Sequence, residues 1–235
     1  DRVSTAAGAV CHKTRPAATD LLEDVAELIR SQEEPFGGTS IFAQRCVFRL
    51  ARQAGVKVLL DGQGADELLG GYRTYLAARL ASLVRQGKLG EAIAFLRRSS
   101  RLPDSGGRRL PLQAIGLLLP KRWRDQLRSC VGEDLVPPWL DRGWFADRGV
   151  RPTSLGENTT SELLREALWR TFSETGLPML LRYEDRNSMA FSLESRVPFL
   201  TPEFVELCLG LPESYIIDRD GTSKAVFRAA MRGLV

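Results

Sequence analysis

The chain has 235 residues, 43% hydrophobic and 26% charged, with a formal net charge of +4, the balance of an ordinary globular protein able to bury a core. No apolar run approaches the roughly 18 residues that span a bilayer, and Asp1-Arg2-Val3-Ser4 leads into no signal-peptide core, so a cytoplasmic protein without membrane contact is expected. A lone histidine, His12, excludes a His-rich zinc site, and Cys11, Cys46, Cys130 and Cys208 show no metal-binding spacing; Cys46 and Cys208 sit in apolar patterns as core thiols.

Residues 1–18 show no clear period and are expected to be irregular. Thr19 or Asp20 can cap a helix over about 20–31, with Glu23 completing a capping box and Leu21, Leu22, Val25, Leu28 and Ile29 at helical spacing. Pro35 and Gly37-Gly38 break that pattern. Thr39 or Ser40 caps a second helix through Phe42, Cys46 and Leu50, which Gly55 is placed to end in a left-handed conformation. Residues 56–60 read as a short buried strand, and Asp61-Gly62-Gln63-Gly64-Ala65-Asp66-Glu67 as a glycine turn running into a helix. Such a turn can bring backbone close to a phosphate and offer carboxylate oxygens to Mg²⁺; it can equally be a plain turn with an acidic helix start.

A single strand is a problem, because parallel sheets need neighbours and no other stretch reads as a strand. The remaining strands are expected in sequence outside this chain, which therefore reads as a C-terminal piece of a larger protein; its start at Asp1 rather than Met is that of a processed chain or a cut-out fragment.

From about 74 the pattern is helical: one helix through Leu76, Leu80 and Leu83 to Gly87, another through Leu89, Ile93 and Leu96, a loop at 101–109, and a short helix with Pro111 in its first turn. Residues 132–156 read as a long ordered connection in which Trp139, Trp144 and Phe145 call for burial. Residues 73–151 carry 16 basic and 7 acidic groups, against 8 and 10 before them and 9 and 12 after. A polyanion could be drawn to this stretch. It lacks interleaved aromatics and any nucleic-acid motif, so a solvated arginine-rich surface is the preferred reading.

Ser161 caps a helix ended by Gly176, and Pro178 starts another on which Arg182, Asp185, Arg186 and Met189 share a face. Thr201-Pro202 opens a further helix, and Ser223 caps a last one with Lys224 in its first turn. A cation there opposes the macrodipole, so Lys224 is either a tolerated surface lysine or part of an anion site.

Asp61 to Tyr72, with its glycines and its Asp66-Glu67 pair, resembles the acidic glycine-rich motif of the asparagine synthase family. Arg182-Tyr183-Glu184-Asp185-Arg186-Asn187-Ser188-Met189-Ala190, continuing to Glu194-Ser195-Arg196-Val197-Pro198-Phe199-Leu200, is similar to its second motif, and Gly221 to Arg228 to its closing glycine–lysine segment. The resemblance implies the fold class: an α/β, adenine-nucleotide α-hydrolase-like synthetase domain of the PP-loop type. This chain would be its C-terminal portion, mostly helical with the edge of a parallel sheet. Residues 1–73 would be part of the nucleotide-binding layer, 74–156 a basic helical segment, and 157–235 the helical part completing the site.

The implied activity is an ATP- and Mg²⁺-dependent amide-forming ligation. A carboxylate, aspartate in asparagine-forming members, is adenylated with loss of pyrophosphate. Ammonia from glutamine, delivered by an N-terminal glutaminase domain, then displaces AMP. By the match Asp66 is a Mg²⁺ ligand and catalytic group, and Lys224 a catalytic phosphate clamp. Gly62 and Gly64 let the loop approach the adenylate, with Asp61 and Gln63 in the same nucleotide-binding turn. Arg182, Asp185, Arg186 and Arg196 are either further substrate- or nucleotide-binding candidates or a structural ion-pair network. Small molecules are the expected partners, nucleic acid is not, and a homodimer is left open.

Two features depart from the family pattern. The nucleotide-binding Ser-Gly-Gly-x-Asp-Ser loop and the cysteine-led glutaminase domain are absent from these residues, so the chain alone is expected to be inactive. Gln63 stands where asparagine-forming members often carry Glu, and an amide cannot serve as a general base. Other readings therefore stay open: an amidotransferase or an amide cyclase acting on a sugar, peptide or β-amino acid carboxylate, or a non-catalytic binding module that kept the fold.

Overall fold

The computed structural model describes residues 2–100, 109–120, 123–124, 140–150 and 160–234. The loop expected at 101–109 therefore lies almost wholly outside the described residues, as does most of the connection at 132–156, with Cys130 and Trp139. The elements in order are α1 (Arg2–Ala6), α2 (Ala18–Gln32), α3 (Ser40–Gln53), β1 (Val58–Leu60), α4 (Ala65–Leu69), α5 (Thr74–Arg85), α6 (Leu89–Ser99), α7 (Arg109–Leu118) and α8 (Arg142–Asp147). They continue with α9 (Leu163–Arg170), a π-helical turn (Thr171–Thr175), α10 (Leu177–Met189), β2 (Glu194–Arg196), a 3₁₀ turn (Pro198–Leu200), α11 (Pro202–Gly210), α12 (Glu213–Ile216) and α13 (Ala225–Ala230). No helix among the described residues is long and apolar enough to cross a membrane.

Two compact units form, each discontinuous in sequence: residues 1–71, 168–216 and 224–235 make the first, and 72–167 with 217–223 the second. In the first, β1 and β2 pair in parallel, with Val58 opposite Glu194, Leu59 opposite Ser195 and Leu60 opposite Arg196. The partner strand that β1 needs is thus supplied within this chain, correcting the expectation that no second strand was present. Glu194-Ser195-Arg196 carries no apolar residue, so neither alternation nor an apolar run marks it. On β1, Val58 and Leu60 remain exposed.

Leu28, Ile41, Phe42, Cys46 and Tyr183 form a core between α2, α3 and α10, joined by Leu21, Phe36 and Leu180. Leu68, Leu69 and Cys208 centre a second cluster with Phe172, Leu200, Phe204 and Phe227, which seats α4 on α11. Each fully buried leucine here contributes about 2 kcal/mol. In the second unit, residues 75–83 of α5 are all buried, against α6 and α7, and Ser82 Oγ accepts the Leu164 N–H at 3.0 Å.

Local chemistry explains the element ends. Gly55, at φ +78°, closes α3 in a Schellman motif: its N–H donates to Arg52 O and that of Val56 to Ala51 O. The start of α2 differs from expectation. Ala17 is extended and precedes the helix, and Asp20 reaches back from the third helical position to accept the Ala17 N–H at 2.9 Å. This is half of a capping box, because alanine has no oxygen to return the bond. Two further expectations are corrected: residues 2–6 are helical, and Trp144 is half-exposed, its ring covered by Arg148 at 3.9 Å rather than by a core.

Inside the first core, Asn187 accepts from Gln32 Nε2 at 3.1 Å and donates to Ile41 O at 3.1 Å and Gln44 Oε1 at 2.9 Å. It ties α10 to both α2 and α3. Asn187→Ala would leave buried polar groups unpaired and should destabilise the chain by about 1–3 kcal/mol. Urea denaturation checks this, and an unchanged midpoint would show that the network carries no net stability.

Candidate active site

The turn after β1 is built by its own side chain. The Asp61 N–H donates to Arg196 O at 2.8 Å, extending the ladder by one residue. Asp61 Oδ1 then accepts the Gln63 N–H at 3.0 Å, which folds the chain back over Gly62. Gly64 follows at φ +90°, and a Cβ there would stand 2.9 Å from Leu200 Cγ, so the position excludes other residues both by conformation and by space. Gly64 precedes α4, whose first turn carries Asp66 and Glu67. Glu67 points inward and is buried, while Asp66 is partly exposed.

Lys224 arrives from the other end of the chain. Ile217 and Ser223 form an antiparallel bridge, and Asp218 Oδ1 accepts from Asp220 N and Thr222 N at 2.9 Å, which shapes the turn leading to it. Lys224 itself is left-handed, φ 55° and ψ 36°, a conformation that costs a non-glycine residue free energy and concentrates at functional positions. It stands just before α13, correcting the expectation that it lies inside the helix with Ser223 as cap. Its N–H donates to Leu69 O at 3.0 Å, and its Nζ meets Asp66 Oδ1 at 2.7 Å. The two residues to which the family resemblance gives the leading roles are therefore in direct contact.

The second motif behaves differently from its sequence reading. Arg182 donates to Gln32 O and pairs with Glu34, both at 3.2 Å, and Arg186 pairs with Glu33 at 2.7 Å. Both arginines hold the end of α2 to α10. Asp185 is exposed, and Arg196 pairs with Glu194 on the exposed side of β2. The structure brings none of these four side chains into an ion pair with Asp66 or Lys224.

What the second motif turns toward the Asp61 loop is Glu184, 3% exposed, which sequence reasoning passed over. Ser195 Oγ, opposite Leu59 in the sheet, donates to its Oε1 in a short hydrogen bond. Burial is the main influence on Glu184 and raises its pKa; the Ser195 hydrogen bond opposes this, the Asp61 charge adds to it, and the Gln63 side chain opposes it again. Gln63 is thus close enough to favour the ionised form, yet no hydrogen bond of good geometry reaches Oε2. Leu177 and Leu180 or Leu181 lead at helical spacing to Glu184, but the next positions of that stripe are the polar Asn187 and Ser188, so the sequence does not mark Glu184 as buried.

Among the described residues no group of three or more His, Cys, Asp or Glu side chains is set to hold a metal ion. Asp66 fits the other pattern used for Mg²⁺, one or two carboxylates with phosphate and water oxygens completing the shell, because it is partly exposed and its partner is a lysine ammonium, a cation whose place a metal ion can take.

A helix-rich module with a small parallel sheet, whose first strand runs into a glycine turn with an acid–lysine pair beside it, is consistent with the α/β class. Residues 1–235 match the family described as Asparagine synthase, and the chain belongs to that family. It is 30% identical over 222 residues to putative glutamine-hydrolyzing asparagine synthetases of Mycobacterium tuberculosis and Mycobacterium bovis, covering 91% of this chain and 33% of each relative. A second putative asparagine synthetase [glutamine-hydrolyzing], from Methanocaldococcus jannaschii, is 28% identical over 172 residues, 67% of this chain and 30% of that protein. The chain thus spans about a third of the length of the curated relatives it matches. No solved structure matches it.

Because the Glu184 pKa is raised in the folded chain, folding takes up a proton. Its contribution to stability is complete below the ordinary carboxylate pKa and is lost as pH rises through the raised value. Glu184→Gln, neutral throughout, should therefore gain stability relative to the native chain as pH rises above the ordinary glutamate pKa of about 4.3. Denaturation midpoints across that range read the effect; a difference independent of pH would show that Glu184 does not titrate in this way.

Proposed function

We propose that this chain is the C-terminal part of an ATP-dependent amide-forming ligase of the asparagine synthase type, with a PP-loop nucleotide layer contributed by further sequence. The observation that carries the reading is the ion pair of Asp66, from the first motif, with Lys224, from the third, at 2.7 Å. The packing of Leu68 and Leu69 with Phe227 brings the two segments together, but the partly exposed pair itself adds little stability, so a ligand is the reason to keep a carboxylate and an ammonium there. The exposed Val58 and Leu60 on β1 support the second half of the proposal, because parallel strands are normally covered on both faces.

The chemistry follows from the charges. A carboxylate that attacks the α-phosphate of ATP expels pyrophosphate, and negative charge gathers on the bridging and terminal oxygens as the bond breaks. Lys224 Nζ neutralises that charge, and its left-handed backbone fixes the side chain's origin beside α4. Asp66 would hold Mg²⁺, which when bound shields the phosphates and stabilises the departing pyrophosphate. Gly62, exposed with open space around it, leaves room for the nucleotide against the turn, while Gly64 lets the turn pack closely on Leu200. In the second half-reaction, ammonia released from glutamine by an N-terminal domain attacks the acyl carbon of the acyl-adenylate, the acyl–oxygen bond breaks to release AMP, and the nitrogen must lose a proton. Gln63 cannot accept it. Glu184 of α10, behind the same turn with Oε2 lacking a sound hydrogen bond and its basicity raised by burial, is the acceptor we assign.

Aspartate is the first candidate for the carboxylate, and Gln63 keeps a second reading in view. An amide at this position would suit a sugar, peptide or β-amino acid carboxylate whose own hydroxyl or amide groups it can bond. Pyrophosphate release from ATP by the intact protein, with aspartate and with these carboxylates in parallel, distinguishes them. Dependence on aspartate supports asparagine formation, whereas release with another carboxylate only would replace aspartate and keep the ligase. In the same assay Asp66→Asn and Lys224→Ala should each lower turnover by about a hundredfold or more, with melting shifted little. Near-normal turnover in either variant would refute the site.

A further inference from the structure

Gly71 closes the first motif, and its backbone gives no reason for a glycine. Its φ lies outside the left-handed region that Gly64 and Gly70 occupy. The space around it does give a reason. An ideal Cβ on Gly71 would overlap Asp66 Oδ1, stand 2.5 Å from Asp66 Cγ and come 2.8 Å from Lys224 Cε. These are the atoms through which the ion pair is made. They belong to side chains that can rotate, so a methyl group would be accommodated by turning Asp66 and withdrawing Lys224 while the main chain stayed in place. The backbone anchors do not depend on the pair: the Gly71 N–H donates to Asp66 O at 2.9 Å and the Lys224 N–H to Leu69 O at 3.0 Å.

We infer that Gly71 is a positioning residue of the site, whose missing side chain is the space in which Asp66 and Lys224 converge. That convergence has a use, which rests on the ligase reading. A divalent metal bound to diphosphate offers a cation and an anion side by side. Such a ligand can be taken up by exchange, metal for ammonium at Asp66 and phosphate oxygen for carboxylate at Lys224, leaving neither side chain unpaired. A side chain at position 71 would keep the two apart and leave each to bind its half of the ligand separately.

The experiment uses the intact protein that carries this chain and compares Gly71→Ala, Asp66→Asn and the double variant. Acylation of Lys224 by an amine-reactive ester, followed by peptide mass spectrometry without nucleotide, reports the ion pair whatever the protein's activity. Gly71→Ala should raise the rate by about threefold, as Asp66→Asn does, and the double variant should match Asp66→Asn. Calorimetric titration with magnesium pyrophosphate should show binding weakened about tenfold in Gly71→Ala, again with no further loss in the double variant. Native acylation rates in Gly71→Ala, or losses that add in the double variant, would overturn the inference. Should Gly71→Ala fail to fold, Gly71→Ala in an Asp66→Ala background decides. Recovery of folding there assigns the obstruction to the Asp66 side chain, and continued unfolding assigns glycine a backbone role and refutes the inference. Acylation changes as expected, in a protein that does not bind magnesium pyrophosphate even unmutated, would uphold Gly71 and reject the ligase reading.

Discussion

The site depends on the parallel pairing of two three-residue strands. Main-chain hydrogen bonds from Glu194 to Lys57 and from Asp61 to Arg196 frame the Leu59–Ser195 register. They thereby hold the Asp61–Gly64 turn against the segment after β2. A slip of one residue would turn Ser195 to the opposite face and take its hydroxyl from Glu184. More than 100 residues separate the two strands, and most of the second unit lies in that interval. Because the closure cost of a loop grows only with the logarithm of its length, so long an excursion between the strands is thermodynamically tolerable.

Three carboxylates of the first and second motifs show how environment assigns roles to one functional group. Asp61 spends its oxygen on the Gln63 N–H and acts as turn structure. Asp66 is partly exposed and paired with a lysine. Glu184 is buried with one oxygen bonded and the other under-satisfied, which favours its neutral form and makes it a stronger base when ionised. The arginines of the second motif stand apart from this group. Arg182 and Arg186 engage Glu34 and Glu33 beyond the left-handed end of α2, holding in place the helix that Asn187 also grips. One face of α10 therefore steadies the scaffold while the adjacent stripe, through Glu184, serves the site.

Much of this was legible from local chemistry. Helical spacing located α2, α3, α5, α6 and α10 to within a few residues, because each buries a stripe of apolar side chains whose period is set by the helix itself. Gly55 announced its left-handed stop, and Asp66 and Lys224 stood out as a carboxylate and a cation in glycine-bearing motifs. β2 was not legible, since Glu194-Ser195-Arg196 becomes a strand only through the main-chain partner that β1 offers. Glu184 was hidden by its company. Flanked by Arg182, Asp185 and Arg186 it reads as one more charge on a wet face, and only the packing of Tyr183 and Asn187 shows that the helix turns it inward.

By itself, then, the amino-acid sequence determined the longer amphipathic helices, the glycine stop at Gly55, the three motifs and the family to which they point. Each rests on interactions within a few residues of chain or on the order of residue types along it. The tertiary structure alone decided which strand β1 pairs with and which charged residue of α10 is buried. It also decided that the opening turn's Asp66 meets the left-handed Lys224 in a space kept clear by Gly71. Those contacts join residues far apart in the chain, and burial, register and free space are properties of the packed molecule rather than of any segment.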